Sequence, residues 1–358
     1  MKNFNQKTAV ILFNLGGPDS LSSVEKFLFN LFSDKAIIDL PQPLRFLIAK
    51  LISKRRAKKV QKIYAQIGGK SPLLNTTLAQ AYALEKELSF FGNFKVFVSM
   101  RYFHPFAAEV IKEVKKYEPD KVILLPLYPQ FSSATSRSSL QDFIEKFDAK
   151  IPLKVVCCYP TQPEFIKSHA ILIKQKIVQL YEQNLHKFRF LFSAHGLPQK
   201  LVNAGDPYVF QVTQTTEKIV ENLAEIFSVQ KNEIDFRICY QSKVGPLQWT
   251  SPSLDTALRC AILDKKISVI VPVAFVSDHL ETLAELDIEY KNLALELGAK
   301  NYLRVPALNL EGHFIKALTE ICKEANVGDE SQVFSGVKNL RICPKEFKFC
   351  QNPNPCQA

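Results

Sequence analysis

The chain alternates short apolar runs with amphipathic stretches along most of its length. Eight runs, at 9–14, 94–100, 122–127, 153–158, 188–193, 236–240, 267–274 and 302–305, are near-continuously hydrophobic rather than alternating. Strands buried on both faces read this way, as in parallel sheets. Helical periodicity fills most of the intervals, for example 106–117 and 216–227. Repeated β and α elements predict an α/β fold with helices on both faces of a parallel sheet.

The runs fall into two sets of four, and the sets echo each other. LFNLGGP at 12–18 returns with one insertion as LFSAHGLP at 191–198, and VILLP at 122–126 returns as VIVP at 269–272. After the fourth run of each set come PEFIK at 163–167 and EGHFIK at 311–316. The pattern predicts two similar α/β domains, each a four-stranded parallel sheet flanked by helices, at 1–165 and 166–315. A C-terminal helix and Cys-containing tail, 316–358, follow and are able to pack back on the first domain. A ligand is expected between the domains, at the carboxyl ends of the strands.

Chemistry concentrates in VIVPVAFVSDHLETLAELDIEY at 269–290. Ser277 and Asp278 read as a helix start, since their oxygens accept orphan amide protons. Helical spacing then sets Asp278, Glu281, Glu285 and Glu289 in one stripe, with Leu280, Leu283, Ala284, Leu286 and Ile288 on the other side. Such a stripe is either a solvated face or, turned to a cleft, an attractor of cations. His195 follows the run at 188–193 in a turn broken by Gly196, Leu197 and Pro198, and His279 with Glu281 occupies the corresponding place after 267–274. Imidazole and carboxylate suit Fe(II), Zn or Mn, and imidazole moves its proton readily near neutral pH. Of the other histidines, His169 and His186 read as surface residues and His104 and His313 as structural ones.

Composition narrows the picture. The 358 residues are 47% hydrophobic and 23% charged, as in a soluble globular protein. The apolar stretches are about half a membrane span, and the N-terminus runs into a strand without a secretory signal, so cytoplasmic residence is expected. The net charge of +11 is spread along the chain without zinc-finger spacing, an RNP motif or a basic arm, which argues against nucleic acid. One segment differs: PQPLRFLIAKLISKRRAKK at 41–59 sets Leu, Phe and Ile beside a dense cationic cluster. It is either an interfacial helix touching the inner membrane face or a core helix with a basic end. Among only twelve glycines there is no G-x-G-x-x-G and no Walker A sequence, so both nucleotide fingerprints are absent. Of eight cysteines, Cys157, Cys158, Cys239, Cys260 and Cys322 read as buried thiols, while Cys343, Cys350 and Cys356 crowd the final sixteen residues.

Six blocks carry a specific resemblance. FLFSAHGLPQKLVNAGDPYVFQV at 190–212, CYQSKVGPLQW at 239–249 and PVAFVSDHLETLAELDIEY at 272–290 resemble the signature blocks of ferrochelatases. NLGGPDS at 14–20, YAQIGGKSPL at 64–73 and LYPQFSSAT at 127–135 resemble that family's N-terminal half, in the family's order. The resemblance implies two Rossmann-like, chelatase-type domains around a porphyrin cleft. It implies insertion of Fe(II) into protoporphyrin IX with release of two protons to form protohaem, without a redox cofactor. His195 and Glu281 match the family's central catalytic and metal-binding pair, and Asp278, His279, Glu285 and Glu289 its acidic path. Arg56, Tyr64, Ser71 and Arg101 match its porphyrin-binding positions, and Leu15 stands where some members have methionine. Some ferrochelatases carry a [2Fe–2S] cluster on four thiolates. Cys343, Cys350 and Cys356, with Cys158 or its neighbour Cys157, are the candidates here, although their spacing is looser than the family's compact patterns and reduced thiols are the alternative. Coproporphyrin or another divalent metal is the nearest rival substrate. A tetrapyrrole-binding protein without chemistry is the rival of another class, but a binder has no use for a proton acceptor facing carboxylates.

Overall fold

In the computed structural model, which describes residues 6–147, 150–181, 184–243, 245, 247–327, 333–335 and 341–352, the apolar runs form two separate parallel sheets. The chain divides into two units: Met1–Tyr159 with Leu318–Arg341 and Gln351–Ala358, and Pro160–Ala317 with Ile342–Cys350.

In the first unit β1 (Lys7–Asn14) pairs in parallel with β2 (Asn93–Met100) and β3 (Lys121–Pro126), and β3 pairs with β4 (Leu153–Cys158). From Thr8 to Asn14 β1 is buried throughout, which is why its run lacks alternation. The helices of this unit are α1 (Val24–Phe32), α2 (Gln42–Gln66), α3 (Leu73–Leu88), α4 (Ala107–Tyr117) and α5 (Ser138–Ile144). Ala107, Val110, Ile111 and Val114 recur at helical spacing on α4 and pack with Ala9, Ile11 and Phe13 of β1. Each such fully buried large side chain contributes roughly 1.5–3 kcal/mol. The sheet has a fifth strand that the apolar pattern does not announce: β9 (Val333–Ser335), parallel to β4. Three residues are too few to register as a hydrophobic run.

The second unit repeats the arrangement. β5 (Phe188–His195) lies between β6 (Phe236–Gln241) and β7 (Ile267–Pro272), and β7 pairs with β8 (Tyr302–Arg304), all parallel. The order β6-β5-β7-β8 reproduces β2-β1-β3-β4, the duplication that the sequence echo predicts. Its helices are α6 (Pro163–Ile177), α7 (Gln199–Asn203), α8 (Tyr208–Phe227), α9 (Leu254–Leu263) and α10 (Tyr290–Glu296). Leu191, Cys239, Ile270, Leu254, Leu258, Leu286 and Ala294 form one core cluster of this unit. The division between units falls within α11 (Gly312–Val327): from Leu318 on it belongs to the first unit, where Lys121 Nζ reaches the Asn326 carbonyl at 2.7 Å.

Three local expectations are corrected. His169 is buried, at 1% exposure, because it shares a stripe of α6 with Phe165 and Ile173; its polar neighbours disguise that stripe in the sequence. Cys260 is exposed on α9 rather than buried. The helix after β7 does not start at Asp278. Helical geometry begins at Leu280, and Glu281–Glu289 is a π-helix, with i→i+5 bonding, that runs into α10.

Candidate active site

Three strand ends of the second unit converge. His195 is the last residue of β5, Gln241 the last of β6, and the π-helix Glu281–Glu289 follows β7. Carboxyl ends of neighbouring parallel strands are where this class of fold builds its sites. Gly196, directly after His195, has no Cβ for a reason: one would sit 3.0 Å from Trp249 Cε3 and 3.1 Å from the Gln241 carbonyl. The Trp249 indole therefore closes on the turn and meets the His195 ring edge-on at 6.3 Å.

His195 Nδ1 lies 2.9 Å from Glu281 Oε2. Their side chains are 39% and 21% exposed, so the imidazole is supported on one nitrogen while the site stays open to a ligand. Around this pair runs a polar relay. Ser193 donates to Gln241 Oε1 at 2.7 Å, which turns the Gln241 amide nitrogen toward Glu285 Oε2 at 3.2 Å and the Glu281 carbonyl at 3.4 Å. Ser242 donates to Glu285 at 2.7 Å and lies 3.3 Å from Glu281 Oε2. Ser242 adopts φ +63°, a left-handed conformation that few serines take and that marks a constrained site. His279 Nδ1 is bonded to the Ser277 carbonyl at 3.1 Å, leaving Nε2 facing Glu281 at 4.0 Å.

The electrostatics separate the two carboxyls. Burial opposes charge on Glu281, but His195 outweighs it and holds this carboxyl well below the ordinary range. Burial, and then the charge of Glu281, push Glu285 up to about 7. Burial also opposes charge on His195, yet the Glu281 carboxylate keeps that imidazole above its usual value. Burial pulls His279 down, so it is neutral near pH 7 and offers a lone pair. One carboxylate fixed as an anion beside one poised near neutrality is an arrangement able to attract a cation and pass a proton.

Of the expected acidic stripe, Glu281 and Glu285 sit against His195 and Ser242, Glu289 is exposed with its charge still felt by Glu285, and Asp278 is bonded by Arg304 Nη1 at 2.7 Å and by Asn309 Nδ2 at 2.7 Å. In the first unit, Tyr64 and Ser71 come together at Gly17, where a Cβ would lie 2.4 Å from Ser71 Oγ and 3.6 Å from the Tyr64 hydroxyl. Arg56, on the same helix as Tyr64, places its guanidinium 5.6 Å over the Phe32 ring. Arg101 is engaged by Asp34 at 2.9 Å, Ser138 at 2.8 Å and Asp142 at 3.4 Å. Cys158 ends β4, whereas Cys343 is buried and receives a hydrogen bond from Gln211 Nε2 at 3.1 Å. Cys356 lies outside the described residues. Among the described residues no group of three or more His, Cys, Asp or Glu is placed to hold a metal. Sequence reasoning missed Gln241 and Ser242. Both lie in the block 239–249 that carries the resemblance and directly follow the run 236–240, but nothing in the block singles them out.

Residues 7–326 match the family described as Ferrochelatase. The ferrochelatase of Rickettsia bellii (strain OSU 85-389) is 50% identical over 352 residues, covering 97% of this chain and 96% of that protein. The ferrochelatase of Pelagibacter ubique (strain HTCC1062) is 47% identical over 358 residues, covering 98% of each. Among solved structures, SirB from Bacillus subtilis with Fe3+ has the same fold, with a TM-score of 0.51 at 12% identity, covering 91% of this chain and 98% of that one. With its duplicated parallel sheets and the His195–Glu281 pair at strand ends of the second sheet, the chain belongs to the ferrochelatase family, enzymes that insert metal into porphyrin.

Proposed function

We propose that this ferrochelatase inserts Fe(II) into protoporphyrin IX through His195, with Glu281 as its charged partner. The observation that carries the reading is the 2.9 Å contact between His195 Nδ1 and Glu281, backed by Ser242 and Glu285. A porphyrin must lose two inner N–H protons as iron–nitrogen bonds form. The Glu281 carboxylate raises the proton affinity of His195 against the opposing effect of burial. Neutral His195 accepts a pyrrole N–H proton as the iron–nitrogen bonds form, and the Glu281 carboxylate stabilises the imidazolium that results. The neutral His279 nitrogen, 4.0 Å from Glu281, supplies a second donor for the cation. Glu285, poised at about 7, takes protons onward, and the exposed Glu289 extends the path toward water.

In the first unit, Arg56, Tyr64 and Ser71 offer donors suited to propionates, by charge-assisted hydrogen bonds in the case of the arginine. Peripheral binding of that kind can pay roughly 1–5 kcal/mol of macrocycle distortion, which exposes the pyrrole nitrogens. Asp278 is held by Arg304 and Asn309.

No described helix is long and apolar enough to cross a membrane. The segment 41–59 nevertheless favours peripheral contact. Leu44, Phe46, Leu47 and Leu51 are 47–56% exposed on α2, and Lys50, Lys54, Arg55, Lys58 and Lys59 are exposed beside and beyond them. That combination suits an anionic bilayer surface on the cytoplasmic side.

Anaerobic Fe(II) with protoporphyrin IX tests the activity. The protohaem spectrum is expected, with slower turnover on coproporphyrin. Tight porphyrin binding without metal insertion would establish the non-catalytic alternative instead.

A further inference from the structure

A π-helix of nine residues is unusual, because runs of i→i+5 bonding rarely exceed a single turn. Something outside the segment must hold it. Edge strand β8 contacts it twice. The Tyr302 hydroxyl donates to the Leu286 backbone carbonyl at 2.7 Å, and Leu286 is fully buried, so that carbonyl sits where water is scarce. Arg304 grips both ends of a span. Its Nη1 reaches Asp278 at 2.7 Å, its Nε reaches Asp287 Oδ1 at 2.8 Å, and its Nη2 bonds the other oxygen of Asp287. The Arg304 side chain is 11% exposed, which strengthens these charge-assisted bonds relative to a surface pair.

We propose that Tyr302 and Arg304 are positioning residues that keep this segment in π-helical form and thereby hold Glu281 and Glu285 against His195 and Ser242. The logic is geometric. Glu281 precedes Asp287 by six residues, and any change in turn per residue accumulates over that interval. On rewinding to 3.6 residues per turn, Asp287 and Glu281 cannot both keep their present partners. With Asp287 fixed by a two-pronged guanidinium and Asp278 fixed just before the helix, Glu281 has little freedom to turn away from His195. Neither residue touches the reacting groups. The proposal rests on Glu281 and Glu285 being the working carboxyls, but its test does not.

The experiment compares Arg304→Gln, Arg304→Lys and Tyr302→Phe in the full chain. Amide hydrogen exchange is read at 281–290 and at β5 and β7, together with kcat and KM for zinc insertion. Arg304→Gln and Tyr302→Phe are expected to speed exchange at 281–290 while β5 and β7 stay protected. Arg304→Gln should lower kcat roughly tenfold or more, the size of effect a small misplacement of catalytic groups produces, with porphyrin KM within about twofold. Arg304→Lys, able to pair with one carboxylate but not to fork across two, should fall between Gln and the parent. Unchanged exchange at 281–290 overturns the proposal, and so does an equal rise across β5 and β7, which signals general loss of stability. If Arg304→Gln does not fold, Tyr302→Phe, which deletes one oxygen, decides on the same readouts. Exchange is measured without substrate, so it decides the brace even were the chain to bind porphyrin without turning it over.

Discussion

Replacing Glu285 by glutamine should stabilise the protein while slowing it. Burial and the neighbouring Glu281 charge hold the Glu285 proton until about pH 7, against an ordinary value of 4.5. Between those values the folded state binds the proton and the unfolded state has lost it, so stability falls as pH rises through the window. The full separation corresponds to about 3 kcal/mol, and solvent reaching the site reduces it to roughly 1–3 kcal/mol. Glutamine keeps the shape and still accepts from Ser242, but never charges. At pH 4.5 the variant and the parent should therefore unfold alike, and at pH 8 the variant should melt several degrees higher, at roughly 2–4 °C per kcal/mol for a unit of this size. Thermal unfolding at the two pH values, with zinc insertion measured on the same samples, is the assay. An equal gain at both pH values, or a less stable variant at pH 8, would refute the assignment of Glu285 as the strained, proton-holding carboxyl.

Two other expectations follow from separate parts of the molecule. His169 is buried with its Nε2 unpartnered and is held neutral down to about 3, so unfolding gains a proton below pH 6.5. Stability should be lost as pH falls, by about 3 kcal/mol at pH 4.5, and His169→Phe should remove that loss; melting curves that track the parent at every pH would contradict it. Leu47→Asp with Leu51→Asp should abolish cosedimentation with anionic vesicles and leave zinc insertion into a water-soluble porphyrin within about twofold, whereas unchanged cosedimentation would exclude α2 as the contact.

The duplicated architecture was legible because parallel strands buried on both faces leave uninterrupted apolar runs, and β1 and β5 carry the same local pattern before the same kind of turn. His195 and Glu281 were legible for a related reason: both follow such a run, where an exposed polar side chain has no packing role. The π-helix was not. Its composition fits an ordinary α-helix, and its register depends on Tyr302 and Arg304, which come from a different strand. The same gap explains Asp278, whose charge looked available until Arg304 was seen to occupy it. His169 misled because Lys167 and Ser168 hide an apolar stripe that only packing reveals. Ser242 and Gln241 sit inside the block 239–249, but their contacts depend on what the fold sets opposite them.

The central claim is that one imidazole, supported by one carboxylate, takes the pyrrole protons. Single-turnover metal insertion by His195→Ala, with porphyrin affinity measured in parallel by fluorescence, tests it most directly. Porphyrin should bind within about threefold of the parent while insertion falls by roughly two to four orders of magnitude, the usual worth of a positioned general base. Insertion at a near-parental rate with His195 gone would contradict the account.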